Sequence, residues 1–308
     1  MQGLRVLAPG KMLLTGSYAV LEGAPALVCA VDRYAVAREA SASTVSAEVA
    51  AAFGAEAPPS VDVSALSRGG EKLGLGGSAA AVVAALGYRS ASRGEDLRSA
   101  PVRDAIFRDA RGAHARVQGG GSGVDIAASV YGGVLRYTLE GDRPSVAPVA
   151  LPGALRFDAY WSGHSARTTE MRARVDALKL RDSAAFAARM RDVTVAAVAA
   201  VSAVEVADAP GFLEAARSSE RALSALGSDA DAPIVIPRAR ALVLAAEEEG
   251  AAFVPSGAGG GDVFVRFGLT PPSSRFCAAA NAAGFEKLEL SLDTLGVRIE
   301  HGLGEPSA

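Results

Sequence analysis

Apolar and polar positions change their rhythm several times along this chain. From residue 4 to 14 the run LRVLAPGKMLL predicts a short strand, a Pro-Gly break and a second strand, and YAVLEGAPALVCAVDRYAVARE keeps strand character. Residues 40–67, rich in Ala, Ser and Pro with weak periodicity, predict a variable strand-and-loop region of low functional interest. Helical spacing follows at 78–93 and 99–118, the second helix with a mixed charged face that reads as solvent exposure. The Gly-rich run at 119–123 leads into a short helix and a strand, and GDRPSVAPVALPG at 141–153 predicts a linker. Beyond it come a strand at 155–161, helices within 168–207 and 211–226, and a helix near 238–249. The strand AAFVPS, the loop GAGGGD, the strand VFVRF, a helix near 273–283 and a last strand near 288–292 complete the series. Such mixing of strands and helices predicts a second α+β domain.

A chain of 308 residues exceeds the usual single-core limit, so two domains sharing a cleft are expected. Half of it is hydrophobic, but the alanine tracts are broken by Arg, Asp, Glu and Ser, leaving no run of about 18 apolar residues to span a membrane. The opening MQGLRVLAPGK lacks a signal-peptide core. Cys29 and Cys277, far apart and without a pairing pattern, read as small buried hydrophobes of a reducing compartment. These features predict a cytoplasmic protein. A net charge of −3, with both signs interspersed, gives no stripe for nucleic acid, whereas a small anion needs only a local pocket.

The most informative segment is EKLGLGGSAAAVVAA at 71–85, a glycine-rich turn running into an alanine-rich helix. Glycine lets backbone approach a ligand closely, and a helix start offers unpaired N–H groups and a positive dipole end. The segment is either a phosphate cradle or only a tight connection. Neither a P-loop G-x-x-x-x-G-K-[ST] nor a dinucleotide G-x-G-x-x-G is present. Two more Gly-rich segments, 119–123 and 257–261, and Pro9-Gly10-Lys11 suggest one site built largely from backbone amides.

In order along the chain, APGKMLLTGSYAVLEGAPAL, KLGLGGSAAAVVAAL, AHARVQGGGSGVDIAASVYGG and PSGAGGGDVFV resemble the motifs of the GHMP small-molecule kinases, and their span covers most of the sequence. Within that family the nearest likeness is to the branch whose acceptor is (R)-5-phosphomevalonate. The signs are Lys72 ahead of GLG, the A-H-x-x-x-Q-G run, WSGHSARTT at 161–169 and the PSGAGGGD form of the last motif. The mevalonate branch is less similar, since it usually carries an acidic metal ligand in place of His114 and a histidine in place of Tyr18.

The resemblance implies a two-domain α+β fold: a ribosomal-protein-like ATP-binding domain over residues 1–153 and a ferredoxin-like domain over 154–308, with the site between them. It implies Asp125 as the catalytic carboxylate and Lys11 as the cation beside the transferring phosphoryl group. ATP would lie on Lys72, Gly74, Leu75, Gly76, Gly77, Ser78 and Ala79, with Ser78 toward Mg²⁺. The third-motif loop comprises Ser256, Gly257, Gly259, Gly260 and Asp262. Substrate contacts would come from Lys11, Tyr18, His114, Gly123, Ser165, Arg167, Thr168 and Thr169.

Each residue has a plainer reading: Asp125 and Ser78 as helix caps, Lys11 as a surface lysine in a turn, the SARTT run as an N-cap, His114 as a packed helix residue. Ser17 replaces the family's usual glutamate, Gly77 replaces its first phosphate-loop serine, and the lysine of the Q-G-K form is missing before Asp125. Mg²⁺ would therefore depend chiefly on ATP oxygens and Ser78. His164 and His301 lack the spacing for a zinc site. Other acceptors, mevalonate or another small alcohol, and a non-catalytic nucleotide-binding sensor remain alternatives, as do a monomer and a homodimer.

Overall fold

The computed structural model describes residues 3–40 and 45–300. The first half forms β1 (Arg5–Thr15), β2 (Ala26–Arg38), α1 (Ala47–Phe53), β3 (Ser60–Asp62), β4 (Ser67–Arg68), β5 (Glu71–Lys72), α2 (Gly77–Ser92), α3 (Ala100–Gln118), α4 (Val124–Tyr131), β6 (Val134–Glu140) and β7 (Arg143–Val149). The second half adds β8 (Arg156–Trp161), α5 (Thr168–Arg181), α6 (Ser183–Glu205), α7 (Ala209–Asp229), α8 (Arg240–Glu248), β9 (Ala252–Pro255), β10 (Val263–Gly268), α9 (Ser274–Ala282), β11 (Glu286–Leu288) and β12 (Arg298–Ile299). Three antiparallel sheets result among the described residues: one ordered β12-β1-β2-β6-β7 with β3 on β2, a second ordered β11-β8-β10-β9, and the short pair β4-β5.

The expected pair of strands at the start is a single strand. Pro9 pairs with Tyr34 and Gly10 with Val31, so β1 runs on through the Pro-Gly step while β2 bulges opposite it at Asp32 and Arg33, and the register shifts once more between Leu13 and Thr15. Nearly every residue of β1 is buried, as in a strand covered on both faces. Helices α2 and α4 lie against it, and α2 is buried all round from Ala79 to Gly87. Alanine suits that position because the helix sits close to the sheet. A Cβ on Gly87 would come within 2.7 Å of Val297 Cγ2 and 3.0 Å of Val6 Cγ1.

The linker expected at 141–153 is largely strand: β7 pairs with β6 from Glu140↔Arg143 to Val134↔Val149. Its two prolines, Pro144 and Pro148, are tolerated because β7 is the edge strand of the sheet order. Region 40–67 holds α1, β3 and a 3-10 turn, Ser64–Leu66; residues 41–44 lie outside the described part. The last described strand also departs from expectation. β11 ends at Leu288, and the chain then returns to the first sheet, where β12 pairs with β1 at Val6↔Ile299. Asp293 holds this return: its carboxylate accepts from Leu295 N, Gly296 N, Tyr34 Oη and Arg298, and its backbone bonds Ala30 and Gly133.

The core lies in two clusters. One joins the first sheet to α2–α4 and to Val265 and Phe267 of β10; the other gathers Tyr160, Phe253, Phe264, Phe276 and Phe285 over the second sheet. Both cysteines are free, Cys29 buried and Cys277 half-buried. No helix among the described residues is long and apolar enough to cross a membrane.

Candidate active site

The two larger sheets come together where β1 emerges from the Pro-Gly step. Lys11 projects there, its Nζ donating to Gly74 O at 3.1 Å while its backbone N–H donates to Leu75 O at 2.8 Å. One residue thus holds the glycine turn by both its backbone and its side chain. Gly76 has φ 75° and caps α2 from the left-handed region, and a Cβ on it would lie 2.8 Å from Lys11 Cγ. The N-cap is therefore Gly76, which corrects the reading of Ser78 as a cap. Ser78 is the second helical residue, half-buried, and its hydroxyl has no partner among the described residues. Gly77 opens the helix with an ordinary φ, and Ala79 behind it is buried.

The third-motif loop closes on the same place. Ser256 Oγ accepts from Leu13 N at 3.0 Å, Tyr18 Oη donates to Ala258 O at 2.6 Å, and a Cβ on Gly257 would lie 3.9 Å from Lys11 Nζ. Tyr18 itself has φ 62°, a conformation that costs a bulky residue and marks a position fixed by its surroundings. Gly259 packs on Ile234 and Gly260 on Met171, both too close for any side chain. Asp262 fits against Gly74, where a Cβ would collide with its side chain. Burial pushes the Asp262 carboxyl above its ordinary value, against the pull of the Ala166 N–H and the charges of Lys11 and Lys72. Lys72, exposed on β5, belongs to the site through that charge alone.

Asp262 also ties in the segment expected to meet substrate. Its Oδ1 accepts from Ala166 N at 2.9 Å and its backbone bonds Ser162 and His164. Ser165 is half-buried beside this clamp; Arg167, Thr168 and Thr169 are exposed at the start of α5. The N-cap of α5 is Arg167 with no side-chain cap bond, so the SARTT run is not a hydroxyl cap.

Asp125 stands on α4, whose N-cap is Gly123 in the left-handed region; a Cβ there would lie 3.0 Å from Arg111 Cδ. The helix begins at Val124, so Asp125 lies in its first turn and is not its cap. Its Oδ1 accepts from Ile126 N at 2.9 Å. Ser129 Oγ, one turn on, donates to Pro9 O at 2.7 Å and pins α4 to β1 two residues before Lys11. The other carboxylate oxygen, Oδ2, faces His114 Nε2 at 3.9 Å. Glu48 on α1 stands close enough for the His114 charge to act on it and accepts from Gln118 at 3.1 Å.

Sequence reasoning overlooked Ser129, Ala258 and Glu48. A serine inside an alanine helix and a backbone carbonyl carry no pattern, and Glu48 lies in the weakly periodic stretch. A concavity of about 620 Å³ lies elsewhere, between α3, the β6-β7 hairpin and Thr294. It is lined mainly by Phe107, Tyr131, Val134, Leu135 and Val146 and holds none of the residues just described.

No protein-family model matches the chain. It is 29% identical over 329 aligned positions to a phosphomevalonate kinase of Streptomyces sp. strain CL190, covering 83% of this chain and 87% of that one. A crystal structure of a Listeria innocua protein matches with TM-score 0.83 at 23% identity, over 97% of this chain and 99% of the other. Streptococcus pneumoniae phosphomevalonate kinase in complex with phosphomevalonate and AMPPNP matches with TM-score 0.76 at 20% identity, over 95% and 100%. The chain has the fold of the GHMP small-molecule kinases. On that fold the four resembling segments take definite positions: β1 with Lys11, the turn into α2, the turn into α4 with Asp125, and the loop between β9 and β10. The GHMP fold thus explains why three glycine-rich turns far apart in sequence serve one strand.

Proposed function

We propose that the protein is an ATP-dependent phosphomevalonate kinase, transferring the γ-phosphoryl group of ATP to (R)-5-phosphomevalonate to give diphosphomevalonate and ADP. The observation that carries this reading is Lys11. Its side chain and backbone hold the glycine turn at Gly74 and Leu75, and its own strand is pinned through Pro9 to the helix that bears Asp125. A cation, a helix N-terminus and a carboxylate assembled on one strand suit phosphoryl transfer, which needs positioning and charge stabilisation. The likeness to a phosphomevalonate kinase over 83% of the chain favours this acceptor over other small alcohols.

In this reading the N–H groups of Gly76, Gly77 and Ser78 at the start of α2 receive the triphosphate, which the helix dipole favours. Lys11 lies at the edge of that turn and stabilises charge on the γ-phosphoryl group as the bond to the leaving ADP oxygen breaks. Asp125 orients the acceptor oxygen and takes its proton when the oxygen carries one. The third-motif loop closes the floor: Asp262 packs under Gly74, and Tyr18 secures Ala258. Among the described residues no cluster of three or more His, Cys, Asp or Glu could hold a metal. The partnerless Ser78 hydroxyl fits a single protein ligand for a Mg²⁺ that arrives with ATP and keeps several waters. A Mg²⁺ held there would supply charge neutralisation to the phosphates.

The test is a coupled ADP-release assay with (R)-5-phosphomevalonate, mevalonate, galactose and homoserine as acceptors. The reading expects turnover chiefly with phosphomevalonate. A preference for an unphosphorylated alcohol would replace the acceptor, and nucleotide binding without turnover of any acceptor would replace the activity.

A further inference from the structure

His114 is a buried side chain of this neighbourhood whose Nε2 has no hydrogen-bond partner among the described residues. It sits on α3, 7% exposed, and its Nε2 is buried with no hydrogen bond. A ring nitrogen in that state costs free energy unless something arrives to meet it. It faces Asp125 Oδ2 at 3.9 Å, beyond hydrogen-bond length, while Asp125 Oδ1 is already engaged by Ile126 N. An oxygen about 2.8 Å from both atoms would subtend an angle of about 88° across that gap, tighter than the roughly tetrahedral directions of a hydroxyl-type oxygen, so the two side chains part slightly to seat it.

We propose that His114 is a specificity-determining residue whose Nε2–H donates to the attacking phosphate oxygen of the acceptor, seated between His114 and Asp125. The inference rests on the kinase reading above and deepens it by assigning the acceptor's class. A monoprotonated phosphate oxygen accepts from His114 and gives its proton to Asp125 Oδ2. Its lone pair then forms the new bond to the γ-phosphorus as the bond from that phosphorus to the β-bridging oxygen breaks, with the electron pair leaving on ADP. Atoms and charge balance without a further reactant.

Discrimination follows from electrostatics. Asp125 alone repels an anionic acceptor and serves a neutral alcohol equally well. A donor 3.9 Å away offsets that repulsion for the phosphate and gives a neutral alcohol less. Glu48, which accepts from Gln118, is a second carboxylate on which a His114 charge acts.

The experiment compares wild type, His114→Leu and His114→Gln with phosphomevalonate and with mevalonate, together with calorimetric binding of phosphomevalonate in the absence of nucleotide. A hydrogen bond to a charged group predicts a loss of about 10- to 100-fold in kcat/KM for phosphomevalonate in His114→Leu, with partial recovery in His114→Gln. The ratio of kcat/KM for phosphomevalonate over mevalonate should fall with it, and phosphomevalonate binding should weaken in the same order. Equal losses for both acceptors, or an unchanged ratio, overturns the assignment and leaves His114 a packing residue. Should His114→Leu fail to fold, the ratio and the calorimetry in His114→Gln decide alone: wild-type values for both overturn the assignment. Failure of the kinase reading shows separately, as wild type that neither binds nor turns over phosphomevalonate.

Discussion

Two adjacent glycines in the phosphate turn should respond oppositely to the same methyl group. Gly76 has φ 75°, a conformation that costs an L-residue about 1–2 kcal/mol. Its new Cβ would also lie 2.8 Å from Lys11 Cγ and 3.3 Å from Cε, so the lysine stem must move and its 3.1 Å bond to Gly74 O must stretch. Adding that lost bond gives a destabilisation of about 2–3 kcal/mol in Gly76→Ala, a fall in Tm of roughly 3–6 °C for a chain of this size. Displacing Lys11 by an ångström predicts a loss of about 100-fold in turnover. Gly77 differs: its φ is ordinary, and a Cβ would meet only Leu66 Cβ at 3.7 Å. Gly77→Ala removes backbone freedom from the unfolded chain and should raise stability by about 0.4–1 kcal/mol. Thermal denaturation of both variants and ADP release by Gly76→Ala are the measurements. A Tm for Gly76→Ala at or above wild type, or Tm shifts of one sign in both, refutes the geometry given for the turn.

Asp125→Asn should lower kcat by about 10²- to 10⁴-fold, the usual worth of general-base help, read by single-turnover ADP release; wild-type turnover would remove Asp125 from the chemistry. Ser78→Ala should raise the Mg²⁺ concentration for half-maximal rate and leave Tm unchanged, because the hydroxyl has no protein partner to lose. An unaltered Mg²⁺ titration excludes it as a ligand. Asp262 carries a carboxyl raised by burial above its ordinary 3.8, so its stabilising neutral form is fully present below that value and lost as pH rises through the folded-state value. The stability of wild type relative to Asp262→Asn should therefore fall from about pH 4 upward, read from urea midpoints; a flat difference would mean that the carboxyl is not held in a buried state.

Local signals gave most strands and the helices other than α1, which lies in a stretch of weak periodicity, because each satisfies its own period. The stretches that departed did so for tertiary reasons. Pro144 and Pro148 read as a linker until an edge position removes the need for their missing N–H donors. Pro9-Gly10 reads as a strand break until pairing carries β1 through it, with β2 bulging opposite. Strand β12 has two residues, and its pairing with β1 depends on Asp293 collecting four donors from both ends of the chain, which no window of sequence contains.

The site was legible where it is made of backbone and obscure where it is made of side-chain partners. Glycine turns announce themselves because the conformations of Gly74 and Gly76 exclude other residues, and the resemblance to known motifs singles out Lys11 and Asp125 as candidates. What the motifs could not supply is what each charged group faces. Asp262 reads as a residue of the third-motif loop that caps or orients backbone groups, and it is a half-buried carboxyl packed against Gly74, clamping Ala166. In its ionised form this carboxylate is stabilised by the charges of Lys11 and Lys72, and the turn then carries an internal anion where the triphosphate would add several more. The turn must therefore hold nucleotide against that anion through N–H groups and lysine charge together, and losing either should weaken nucleotide binding more than a bond count suggests.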